Sequence, residues 1–373
     1  MRHAWAAALG GAALVPLVTW LPMAAARWPA LGLPPYQPAQ GIDLWSLQTF
    51  WFAAIGAVAL LVGATDRWLG VMLAVVGLTV FLRGATMDPT HSVCFVFGAL
   101  LLAAVRRIPA EWGPPLARVL LIGLGAFQIV YLMQQHMGYD ILWGPLVGGT
   151  LVNPLQPIGT LGGVDAASAY VAILAPLMPL AFLPFAALVV WTGHSLGAIG
   201  ALVVGLSVRA LLTWGVSLKR AALIALAALA ILGPAGVYLH KQTHVGRVAV
   251  WHFAVTRWVT SDPILGYGLG GWNQRVPAQQ VKANFMPAKE VWREAHNEPL
   301  QWLVETGMVG LLLLGLWLYD HRRMFLDPTW GPSLAALASS MLTFHPMHIV
   351  ASALVGITLI GLATRTEAPC AAS

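Results

Sequence analysis

Long uncharged apolar runs recur from one end of this chain to the other, and they constrain its fold more than any other feature. GMVGLLLLGLWLY (Gly307–Tyr319) and AALIALAALAILG (Ala221–Gly233) are typical. A helix needs about 20 predominantly apolar residues to cross a bilayer, where no water is present to satisfy a non-helical backbone. With 58% hydrophobic residues, 9% charged residues and 17 Trp among 373, the chain meets that requirement many times over. It reads as an all-α polytopic membrane protein. Cys94 falls in an apolar run and Cys370 in the C-terminal tail, so no disulfide framework or structural zinc is expected. The N-terminus imitates a signal peptide, with Arg2, an apolar stretch and Met23–Ala26, but so many similar runs follow that it reads as a retained first span.

Apolar runs and their breakers place spans near 4–23, 44–64, 69–83, 91–105, 116–133, 166–182, 183–194, 197–215, 219–238, 298–319, 330–345 and 347–364. That makes about twelve transmembrane helices, or eleven if the short pieces over 166–194 merge or re-enter. Lys and Arg of short loops stay cytoplasmic, which sets the orientation. With the N-terminus inside, the inner loops and ends hold Arg2, Arg67, Arg106, Arg107, Arg118, Arg209, Lys219, Arg220, Arg322, Arg323 and Arg365. The short outer loops then hold only Arg27 and Arg83. Three regions result: a membrane bundle of about nine spans over 1–238, an outer loop over 239–297, and C-terminal spans with a short cytoplasmic tail over 298–373.

The outer loop breaks the charge bias. It carries Lys241, Arg247, Arg257, Arg275, Lys282, Lys289 and Arg293. Long loops escape the topology rule, so these cations point either to an anionic substrate at the outer face or to a solvated loop touching lipid headgroups. Within the loop, GRVAVWHFAVTRWV (Gly246–Val259) sets Val248, Trp251, Val255 and Trp258 at helical spacing, which predicts an amphipathic interfacial helix with Arg247 in its first turn. GYGLGGW (Gly266–Trp272) follows. No βαβ unit surrounds it, so a glycine turn is the better reading than a dinucleotide fingerprint, and its backbone N–H groups are able to hold an anion. REAHNEPLQWLVETG (Arg293–Gly307) then crowds polar residues into the entrance of an apolar span. Helical spacing puts Asn297, Gln301 and Glu305 on one face, where exposure to lipid would be costly, so they should line a cavity.

The order of these pieces resembles the signature region of the O-antigen ligase and polymerase superfamily of bacterial envelope proteins. The matching positions are Arg247, Trp251, Pro263, Gly266, Gly268, His296, Asn297, Leu300, Glu305, Gly307 and Gly310. GTLGGVDAASAYVAILAPL (Gly159–Leu177), TGHSLGAIGALVVGL (Thr192–Leu206) and FHPMH (Phe344–His348) are similar to further family segments, so the likeness runs roughly over 155–363. Two segments depart. The family usually reads Ser-Arg-Gly where this chain has Ser195, Leu196 and Gly197, and Asn-Pro-Asn where it has Gly163, Val164 and Asp165.

The resemblance implies an integral-membrane glycosyltransferase of the bacterial inner membrane whose active site faces the periplasm. Its donor would be a glycan on undecaprenyl diphosphate, and its acceptor the lipid A core, as in an O-antigen ligase. The alternatives are another lipid-linked glycan, as in a polymerase, or protein Ser or Thr. Two or three cations at hydrogen-bond distance can stabilise the departing diphosphate without a metal, and a neutral imidazole suits removal of the acceptor proton. His296 is the candidate base. Glu305 orients the acceptor, pairs with an arginine or tunes His296. Arg247, Trp251, Asn297, Gln301 and Ser195 are candidate diphosphate- or glycan-binding residues, with His194 or Arg83 replacing the missing family cation. Membrane lipid is an expected partner; nucleic acid, cofactor and metal are not.

Simpler readings stand beside these. Glu294, Arg293 and Glu298 fit a solvated helix start, with acidic residues favourable to its dipole. His91, His194, His345 and His348 fit interface positions better than a zinc site. The rival class is a transporter, which twelve spans also suit. Transporters tend to show inverted repeats, broken helices and midplane ionisable groups, whereas here the halves show no evident repeat, the midplanes are nearly free of charge and polarity collects in one outer loop.

Overall fold

The computed structural model describes residues 111–139, 159–161, 164–213, 243–285, 291–292 and 294–365, together with Arg220 and isolated positions between 98 and 109. The spans expected at 4–23, 44–64, 69–83 and 219–238, and much of 91–105, lie outside this set. Among the described residues the chain is helical throughout, with no strand. The helices are α1 (Gly113–His136), α2 (Val164–Leu174), α3 (Leu183–Thr192), α4 (Leu196–Thr213), α5 (Thr243–Ser261), α6 (Gly271–Lys282), α7 (Glu298–Asp320), α8 (Gly331–Met341) and α9 (Val350–Ala363). Of these, α1 and α7 are long and apolar enough to cross a membrane.

Prolines set several boundaries. Pro114 and Pro115 open α1, where missing N–H groups cost nothing. The run expected as one span over 166–182 instead divides, because Pro176 and Pro179 turn the chain into short 3-10 turns at Ala175–Leu177 and Leu180–Phe182 before α3 begins. The main core gathers α1, α2, α4, α8 and α9 around residues such as Leu174, Met178, Leu334 and Leu354. Small residues allow these helices to approach closely. A Cβ on Gly205 would stand 2.7 Å from Pro176 and 2.9 Å from Ala336, and one on Gly197 would stand within 2.4 Å of the Thr343 hydroxyl.

A second, smaller core forms where α5 and α6 fold onto the first half of α7. Val250, Ala254, Trp258, Tyr267, Trp272, Val276, Ala295 and Val304 make it. The amphipathic helix is therefore present as α5, with a buried stripe different from the expected one: Val250, Ala254 and Trp258 are buried, whereas Val248 is 61% exposed. Because α5 begins at Thr243, Arg247 falls in its second turn, on the side shared with Trp251.

The span over 298–319 is broken. Gly307 takes φ 68° and ψ −171°, and α7 continues in a new segment beyond it. The turn over 263–268 fills the break. Tyr267 and Gly268 donate N–H groups to the Val304 and Glu305 carbonyls at 2.9 and 2.8 Å, while Met308 and Val309 donate to the Pro263 and Ile264 carbonyls. The backbone groups freed by an interruption in an apolar helix need partners, and these four bonds supply them. Both glycines are required. A Cβ on Gly307 would lie 2.1 Å from the Ile264 carbonyl oxygen, and one on Gly266 would lie 2.5 Å from the Glu305 backbone.

Candidate functional site

His296 sits just before α7 in a left-handed conformation (φ 50°), which is uncommon outside glycine. Its neighbours hold it there. Gln301 accepts the Ala295 N–H at 3.1 Å and donates to Glu294 at 3.0 Å, and Trp251 donates its indole N–H to the Ala295 carbonyl. Asn297 caps α7 by accepting the Leu300 N–H at 2.9 Å, and its amide donates to the Leu342 carbonyl at 2.9 Å. Three residues expected to touch substrate thus serve the backbone around the imidazole.

The imidazole lies in a slot between rings. Trp292 meets it edge-on at 5.3 Å and His345 meets it edge-on at 4.6 Å, with Phe344 at 6.2 Å. Its Nδ1 is buried and has no hydrogen-bond partner among the described residues. Burial, reinforced by the Arg247 guanidinium and opposed by Asp165, pushes its pKa down to about 4. Such an imidazole is neutral across the physiological range.

Arg247 reaches the same place from α5. It donates Nη1–H to the Thr343 carbonyl at 3.1 Å, while its Nε is buried without a partner. Burial lowers its pKa and Asp165 partly offsets that. The other described cations of the segment are engaged elsewhere or exposed: Arg275 pairs with Asp262 at 3.2 Å and lies over Tyr267, Arg257 lies over Phe253, and Lys282 is exposed. Lys241, Lys289 and Arg293 lie outside the described residues.

Glu305 is 3% exposed and faces α6. Its carboxylate accepts the Gly270 N–H at 3.0 Å, the Trp272 N–H at 3.3 Å and the Gln301 amide at 3.2 Å. Gly270, in the left-handed region, is the N-cap of α6, so the carboxylate also meets the positive end of that helix dipole. The anion held by the glycine turn is therefore this chain's own Glu305, and the remaining N–H groups of Gly266, Tyr267, Gly268 and Gly271 donate to backbone carbonyls. That leaves little of the turn for phosphate.

His194 and Ser195 form the bend between α3 and α4. His194 is exposed and left-handed (φ 52°), and Ser195 is buried. The contact of Gly197 with Thr343 brings the start of α4 against the turn that receives Arg247. Arg83 lies outside the described residues. Sequence reasoning gave no role to two groups found here: Asp165, which stands where the family pattern reads Asn, and His345, whose Phe-His-Pro context was noted without linking it to His296. Among the described residues no cluster of three or more His, Cys, Asp or Glu side chains is arranged to hold a metal ion.

Comparison with known families adds an independent observation. No curated protein matches the chain. The family described as O-antigen ligase matches residues 169–315, a narrower stretch than the resemblance over 155–363, and one that spans α4, Arg247, the glycine turn, His296 and the break in α7. That match supports the likeness of this part of the chain, with the candidate site inside it, to the O-antigen ligase/polymerase superfamily.

Proposed function

We propose that the protein transfers a glycan from undecaprenyl diphosphate to an acceptor hydroxyl at the periplasmic face of the inner membrane, as an O-antigen ligase acting on the lipid A core. The observation that carries this reading is the convergence of Arg247, from α5, and His296, from the entrance of α7, on one turn: Arg247 donates to the Thr343 carbonyl at 3.1 Å and the His296 ring packs against His345 at 4.6 Å, with both residues inside the family-matched region. A guanidinium with a buried, unpartnered Nε suits a diphosphate oxygen, and a neutral imidazole beside it suits a hydroxyl proton.

In the reaction the acceptor oxygen bonds to the anomeric carbon while the bond from that carbon to the diphosphate breaks, and the electron pair leaves with the diphosphate. Arg247 stabilises that charge. The acceptor proton passes to His296. An imidazole of pKa about 4 is a weak base in the empty site, but a bound diphosphate would place negative charge beside it and favour its protonated form. The donor thus prepares its own base. Glu305, Gln301, Trp251 and Asn297 act as supports that fix the backbone of His296 and the start of α6.

The test is glycan transfer by the purified full chain in detergent, with undecaprenyl-diphosphate-linked glycan as donor and lipid A core as acceptor. Product formation that is lost in His296→Ala supports the reading. Transfer to a second lipid-linked glycan instead of the core would favour a polymerase, and uptake of a labelled solute into proteoliposomes without glycan transfer would favour a transporter.

A further inference from the structure

The turn between α8 and α9, over 342–347, lies beyond the family-matched residues, yet four groups of the candidate site converge on it. Arg247 donates to the Thr343 carbonyl at 3.1 Å and Asn297 to the Leu342 carbonyl at 2.9 Å. Glu298, 6% exposed, accepts the Met347 N–H at 2.8 Å. The His345 ring stands edge-on against His296 at 4.6 Å, and Trp292 meets the same ring edge-on at 5.3 Å. Phe344 is buried, 4.4 Å from the His345 ring and 6.2 Å from the His296 ring. A turn whose only duty was to reverse the chain would not need bonds to each of these side chains.

We infer that His345 is a positioning residue of the glycan-transfer site: its imidazole closes the slot that orients His296, and a proton on either ring disfavours one on the other. The physical reasons are steric and electrostatic. The His296 side chain leaves a left-handed backbone with its Nδ1 unbonded among the described residues, so ring packing by Trp292 and His345 fixes its rotation. Among the described residues the charged groups that act on it are Arg247 from α5 and Asp165 from the start of α2, one of each sign. A proton on His345 adds a second cation at ring-contact distance, and like charges this close disfavour each other. His296 therefore holds the acceptor proton less well when His345 is charged than when it is neutral. His345 needs no contact with substrate for this role.

The inference rests on the glycosyltransferase reading for its consequence, but its first test does not. Diethyl pyrocarbonate acylates neutral imidazole, so the rate at which it modifies His296 in the detergent-purified full chain, followed by peptide mass spectrometry against pH, reports the protonation and access of that ring. In His345→Phe, which keeps an aromatic ring in the slot but cannot be charged, the acid limb of His296 modification should move up by about one pH unit. In His345→Ala, His296 should become faster to modify at neutral pH, because the slot is open. The second test is glycan transfer. His345→Ala should lower kcat by about tenfold or more while donor KM changes little, since misorientation of a base affects the transition state more than binding. His345→Phe should recover part of kcat with a changed pH profile. Unchanged His296 modification profiles in both variants overturn the inference, whatever the activity. Loss of the transfer reading itself would appear differently, as a His296→Ala protein that transfers glycan at the parent rate while the modification profiles still shift.

Discussion

Arg247 and His296 differ from four of the polar residues around them in what their side chains leave unsatisfied. Glu305, Gln301, Asn297 and Trp251 are bonded to the chain, whereas the Arg247 Nε and the His296 Nδ1 are buried without partners among the described residues. Buried donors and acceptors left in that condition cost about 1–3 kcal/mol each, a cost that substrate can relieve. Arg247→Ala should therefore weaken donor binding and slow transfer by at least about tenfold, since each charge-assisted hydrogen bond contributes about 1.5–3 kcal/mol. Lysine should rescue only in part, because it keeps the charge without the planar fork. His296→Ala should lose about 10²- to 10⁴-fold in turnover while donor still binds. The pH dependence has two limbs. The profile of kcat/KM, which reports the empty site, should hold down to about pH 4, and that of kcat should fall at higher pH because bound diphosphate raises the proton affinity of His296. Stability follows the same group. Its folded pKa of about 4 lies below the ordinary 6.5, so the unfolded chain takes up the proton first. The stabilisation is complete above about pH 6.5 and is lost as pH falls toward 4. An acid limb of kcat/KM near 6.5 would contradict the buried, neutral imidazole.

The elements that carry the site were legible in sequence to different degrees. α5 and the start of α7 were readable because their apolar spacing and the Asn297 cap are local signals. The break at Gly307 was not. Its cause is a tertiary approach: the 263–268 turn inserts its backbone where Gly307 leaves the helix, and Leu, Val and Gly around the break give the ordinary pattern of a continuous span. The same insertion hid the surroundings of Glu305, which looked like a cavity carboxylate from helical spacing and accepts the Gly270 and Trp272 N–H groups at the start of α6. His345 escaped for a related reason, since its contact with His296 joins two separate helix connections. The element makes its own prediction. Gly307→Ala would set a Cβ 2.1 Å from the Ile264 carbonyl oxygen at a backbone angle that L-residues avoid, so the folded yield should collapse, read as loss of the monodisperse peak in detergent chromatography. Glu305→Ala should lower the melting temperature while His296 remains reactive to diethyl pyrocarbonate at neutral pH, as suits a support. Normal stability with abolished transfer in Glu305→Ala would instead return that carboxylate to the reacting atoms.

At the scale of the whole chain, the mechanism depends on which side of the membrane the second core occupies. The helices seen at 113–136, 183–192, 196–213 and 298–320 fall where the apolar runs placed spans. The divided run at 164–182 was the place where proline punctuation outweighed hydropathy. Hydropathy supplies lengths, but the side of each loop comes from the Lys and Arg bias, and that bias breaks over 239–297. The described part of that segment is a folded unit with its own core, its Phe253 and Phe285 rings stacked at 4.6 Å, so it is a defined surface to probe. Ala278 is exposed on α6, whereas Ser217 belongs to the connection assigned to the cytoplasm by Lys219 and Arg220. In a chain with Cys94 and Cys370 replaced by serine, a single cysteine at Ala278 should react with an impermeant thiol reagent in whole cells whose outer membrane has been permeabilised. One at Ser217 should react only after the inner membrane is also opened. A lipid-linked donor presented at the periplasmic face reaches Arg247 and His296 only in the first arrangement. If Ser217→Cys were labelled in intact cells and Ala278→Cys protected, the candidate site would face the cytoplasm and the proposed donor and acceptor would both be wrong.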